Sequence, residues 1–128
     1  MDFLKNALLF VSVLLGQTVF AESGWQTLGD LVRVDERPNQ VELSAQRGKV
    51  RLIALAPDVI RVTYAPNGTF PADQSFAVLP DTFPTNTKLR VSKSDAALDL
   101  RTDQLAIRVD KSPLRLTFLD TSGKILSQ

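Results

Sequence analysis

Cysteine and histidine are both absent from this chain of 128 residues. The first absence excludes disulfides, thiolate nucleophiles and cysteine-ligated metals. The second removes the Ser-His-Asp triad and the usual zinc ligand sets. An excess of one charge is also missing: fifteen Lys and Arg stand against fourteen Asp and Glu, a net charge of +1. With no basic run either, nucleic acid has no electrostatic foothold. The six glycines are scattered and form no phosphate-cradling loop. No run of oxygen ligands has the spacing of an EF-hand loop, so neither a metal nor another cofactor is expected. Long apolar runs are lacking too, none being able to span a bilayer of ~30 Å as a helix.

What is present begins with a targeting signal. Lys5 and the α-amino group outweigh Asp2, and residues 7–15 are apolar apart from Ser12. Gly16 and Gln17 relax the run, and Val19-Phe20-Ala21 sets small residues where a signal peptidase reads. This three-part pattern predicts a signal peptide over residues 1–21 and a mature chain starting at Glu22. The product is expected to be exported, periplasmic or extracellular, with no membrane attachment after cleavage. Roughly a hundred residues remain, enough for one small domain or part of a larger one. Residues 22–39 read as a lead-in segment and residues 40–128 as the folded domain.

That domain alternates with a period of two. Val41, Leu43 and Ala45 alternate with Glu42 and Ser44; after a turn at Gln46-Arg47-Gly48, residues 49–56 follow with Val50, Leu52 and Ala54 on one face. Ile53 and Leu55 make the other face of that strand apolar, which predicts cover on both sides. Beyond a tight turn at Pro57-Asp58, Ile60, Val62 and Tyr64 point inward. Leu98 and Leu100, then Leu105, Ile107 and Val109, then Leu114, Leu116 and Phe118 repeat the alternation. A turn at Thr121-Ser122-Gly123-Lys124 leads into Ile125 and Leu126. Turns at such intervals, with no convincing helical period, define an all-β antiparallel sandwich.

Residues 65–88 interrupt the pattern with Pro66, Pro71, Pro80 and Pro84. Residues 75–79 within them read either as an edge strand bracketed by prolines or as part of a surface loop. Asp99, Asp103 and Asp110 cluster in one hairpin, but Asp99 alternates with Leu98 and Leu100 and Asp110 ends a strand, so both point to water rather than to a buried acid/base pair. Asp58 and Asp120 read as turn residues. Among the aromatics, Tyr64 and Phe118 occupy inward registers, whereas Trp25, Phe70 and Phe83 lie in irregular segments.

Taken in order, several segments resemble the start of glycoside hydrolase family 31, the α-glucosidases and α-xylosidases. Asp58-Val59-Ile60-Arg61-Val62-Thr63-Tyr64-Ala65-Pro66 is similar to a family strand that follows a hairpin, as it does here. Ser75-Phe76-Ala77-Val78 resembles the short serine-led strand after the family's variable loop. Leu105-Ala106-Ile107-Arg108-Val109, Ser112-Pro113-Leu114-Arg115-Leu116-Thr117-Phe118 and Asp120-Thr121-Ser122-Gly123-Lys124-Ile125-Leu126 resemble its two strands and glycine turn. Order and spacing match from about Val41 onward.

The resemblance implies the galactose-mutarotase-like sandwich (a supersandwich) that precedes a catalytic (β/α)8 barrel. In the family that barrel carries an aspartate nucleophile and an aspartate general acid/base, which hydrolyse α-glycosides with retention. Neither that signature nor a barrel unit occurs here. The expectation is therefore an incomplete sandwich without catalytic residues, whose partners are a parent's barrel and, through it, carbohydrate. Family loops from this domain reach the barrel mouth, which makes Phe70 and Phe83, with Trp25, the candidate substrate contacts. The alternative is a free-standing secreted sandwich that binds carbohydrate or protein. A scaffold should leave an apolar face and an edge open, whereas a free module should close its sheets.

Overall fold

The computed structural model describes residues 26–72 and 86–128. The expected signal peptide, Trp25, residues 75–79 and Phe83 lie outside them. Among the described residues there are nine strands and no helix. β1 (Leu31–Arg37), β2 (Gln40–Ala45), β3 (Gly48–Ala56) and β4 (Val59–Ala65) form one antiparallel sheet in chain order. β5 (Arg90–Lys93), β6 (Ala97–Arg101), β7 (Leu105–Lys111), β8 (Leu114–Asp120) and β9 (Ile125–Ser127) form the other. Both are meanders, as short turns between alternating segments require.

Register places the apolar set of each strand on the face turned to the other sheet. Val41 lies opposite Leu52 and Leu43 opposite Val50, while Leu100 meets Ile107 and Val109 meets Leu116. Val41, Leu43, Leu52, Leu98, Leu100, Ile107 and Val109 are fully buried in the shared core. Each contributes about 1.5–3 kcal/mol by leaving water. The cover expected on both sides of β3 is present at Ile53, which is buried on the outer face.

Polar stitches fix how the sheets stack. Leu114 N–H donates to the Gly29 carbonyl at 2.8 Å, and Ser112 Oγ donates to Asp30 Oδ1 at 2.9 Å. At the far end of β1, Glu36 pairs with Lys93 of β5. β1 thus starts beside β8 and ends beside β5, crossing the strands between. Gly29 sits at this joint with φ of +78°, a region open to glycine but costly for other residues. A Cβ there would also collide with Gln46 Oε1, which accepts the Asp30 N–H at 3.0 Å.

Three sequence expectations are corrected. β1 lies inside the segment read as a lead-in, and β5 was not anticipated. Val62 and Tyr64 do share the inner face, opposite Leu52 and Val50, but they are 46% and 51% exposed rather than core. The reason is position: β4 is an edge strand among the described ones, and of its inner-face residues Ile60 alone packs against the shared core.

Candidate functional site

The carboxylates come first because glycoside chemistry depends on them. A retaining pair needs two carboxyl groups about 5–5.5 Å apart, one of them held protonated by its surroundings. The only buried polar side chains among the described residues are Thr102 and Thr117. Asp58 is exposed in the β3–β4 turn. Asp103 pairs with Arg90 at 3.0 Å on the surface, and Asp110 lies 3.9 Å from Arg108. Asp120 caps the β8–β9 turn: its Oδ1 accepts from Ser122 Oγ at 2.6 Å and from the Ser122 and Lys124 amides at 2.9 Å. The Ser122 hydroxyl, then the Lys124 amide, hold its carboxyl below the usual range. Asp99 is half-buried on the outer face of β6, opposite Arg108. Of these five acids, two sit in turns, two pair on the surface and one lies on an outer sheet face. No group of them is arranged to hold a metal ion.

Phe70, the one described candidate among the aromatics, folds back onto its own domain. The Arg51 guanidinium stacks over its ring at 4.0 Å from the centroid. Arg51 in turn pairs with Glu42 at 3.0 Å across β2 and β3, both side chains about four-fifths covered. Phe70 therefore lies on the outer face of the first sheet, and the other two candidates, Trp25 and Phe83, lie outside the described residues.

Two features were not anticipated from sequence. One is Thr102, whose hydroxyl donates to the Pro57 carbonyl in the β3–β4 turn and accepts the Leu105 amide at 3.0 Å. It ties the two sheets together at the ends of β3 and β6. The other is a groove on the outer face of the second sheet, a cavity of about 350 Å³. Arg90, Asp99, Arg101 and Arg108 rim it, over Ala106 and Leu119. The alternation of apolar inner with mostly charged outer positions along β6 and β7 was legible, but the hollow the outer side chains form depends on sheet curvature.

Two stacked antiparallel sheets define a β-sandwich, and the comparisons with known proteins say of which kind. Residues 49–128 match the glycosyl hydrolase 31 N-terminal galactose mutarotase-like domain, and the chain belongs to that family. It is 25% identical over 118 residues to the isomaltosyltransferase of Sporosarcina globispora, covering 88% of this chain and 10% of that protein. It superposes on a family 31 dextranase of Flavobacterium johnsoniae, a variant complexed with isomaltotriose, with a TM-score of 0.71. Identity there is 27%, over 79% of this chain and 13% of the dextranase. An uncharacterized Listeria monocytogenes protein shares the fold at 18% identity and a TM-score of 0.58, over 77% of this chain and 9% of that one. The chain spans about a tenth of the length of the relatives it matches.

Proposed function

We propose that this chain is the non-catalytic N-terminal scaffold of an exported family 31 enzyme, supporting a catalytic barrel that acts on α-linked glucans. The observation that carries the reading is the family match over residues 49–128, within relatives about ten times longer. A glucan with isomaltose-type units is the favoured substrate of the whole enzyme. That choice draws on the names of the relatives, an isomaltosyltransferase and a dextranase complexed with isomaltotriose. Within this chain, the absence of a buried carboxylate pair among the described residues supports a supporting role rather than chemistry.

The open face favours scaffold over free module. Val62 and Tyr64 on β4, and Ile125 and Leu126 on β9, are each about half exposed at the edge of their sheets. Such surface templates association unless something covers it. The purified chain should therefore bind the dye ANS or self-associate, and replacing Val62 and Tyr64 by Ser should reduce the dye signal. A monomer with a sharp melt and no dye binding would favour the free-standing module instead. Export has its own test, the N-terminal residue of the mature protein: Glu22 is expected, and a retained Met1 overturns it.

A further inference from the structure

The groove on the outer face of the second sheet is set apart from the open edge by its chemistry. It is rimmed by three arginines (Arg90, Arg101, Arg108) and three aspartates (Asp99, Asp103, Asp120). Several of these are already engaged. Arg90 holds Asp103 and donates to the Thr102 carbonyl at 3.3 Å, Arg108 lies near Asp110, and Asp120 caps its turn. Asp99 and Arg101 have no partner among the described residues. They lie two residues apart on the outer face of β6, one an acceptor and the other a fork of donors. Between them and the turn, the floor is apolar: Ala106 lies opposite Arg101, and Leu119 opposite Ala106.

We propose that this groove is a carbohydrate-binding subsite in which Asp99 and Arg101 hold vicinal hydroxyls of one sugar over Ala106 and Leu119. Charge balance is the first argument. Three cations matched by three anions give no net pull on a phosphate or a sulfate, whereas a neutral polyol uses donor and acceptor together. The floor is the second, since a pyranose presents one face of C–H groups that an alkyl surface covers. Size is the third. A cavity of about 350 Å³ falls at the lower end of small-ligand sites, and a second cavity of about 320 Å³ adjoins it. The two share Arg90 and Asp103, so their ion pair forms the wall between neighbouring hollows, an arrangement suited to successive units of a chain. With no aromatic ring lining the groove, affinity on the order of millimolar is expected. Choosing a sugar among neutral polyols rests on the family reading; the groove's chemistry does not.

Saturation-transfer NMR on the chain with isomaltotriose tests this, with inorganic phosphate as a second probe. Transfer should be saturable, and Arg101→Ala and Asp99→Asn should each weaken binding roughly tenfold. Arg33→Ala, on the other sheet, should leave it unchanged. Arg101 is exposed, so its removal spares the fold, and retained amide dispersion verifies this. Absence of saturable transfer overturns the subsite, as does transfer that survives both groove substitutions. Competition by phosphate overturns the polyol assignment in favour of an anion site. Because binding is read without turnover, failure here leaves the scaffold reading standing, and turnover by the chain would overturn that reading without touching this one.

Discussion

Thr102 shows how much one small side chain contributes where two sheets meet. It is 5% exposed, and its hydroxyl serves the Pro57 carbonyl of one sheet and the Leu105 and Gln104 amides of the other. Valine fills the same volume but leaves those groups unpaired in a buried turn, a loss of about 1–3 kcal/mol. Thr102→Val should lower the denaturation midpoint accordingly, while Thr102→Ser should recover most of the loss. Equal stability of wild type and Thr102→Val would remove the stitch from this account. Nothing in the sequence distinguished Thr102 from any other turn threonine, because its partner is forty-five residues away in the chain. Asp120 was legible as a turn residue because its partners, Ser122 and Lys124, are local. Tyr64 was legible in register but not in burial. Alternation tells which face a residue occupies; only the facing sheet tells whether that face is covered.

The strands divide on the same principle. β2, β3, β6, β7 and β8 carry at least two apolar residues on one face, and each was readable. β1 escaped notice because its inner positions run from Val34 to the charged Glu36, while Val32 points to solvent with 68% exposure. β5 has four residues and a single apolar one, Val91. Both strands lie at sheet edges, where pairing rather than burial holds them. The connection from β4 to β5 is anchored at both ends. Leu89 is buried and its amide donates to the Pro38 carbonyl at 2.9 Å, and Phe70 stacks on Arg51 near the start. That stack covers the Arg51–Glu42 pair. Phe70→Ala should therefore destabilise the domain by about 1–3 kcal/mol, from lost area and the lost cation–π contact. Phe70→Leu should restore part of it. In a longer enzyme, an altered KM with unchanged stability would instead place Phe70 at a substrate.

At the scale of the whole molecule, two sheets share one core yet leave apolar residues of β4 and β9 half exposed. No carboxylate is fully buried among the described residues, whose buried polar side chains are Thr102 and Thr117. The family resemblance was legible because it rests on an ordered set of strand sequences. The open face was expected of an incomplete sandwich, whereas the groove was not legible, since it arises from how a sheet curves. The central claim, that this chain supports glycoside chemistry without performing it, is tested most directly by a turnover assay. Purified chain and chain extended through a family 31 barrel are each incubated with isomaltotriose, and glucose release is measured. The account predicts release by the extended protein and none by the chain alone; release by the chain alone, abolished when its carboxylates are replaced, would contradict it.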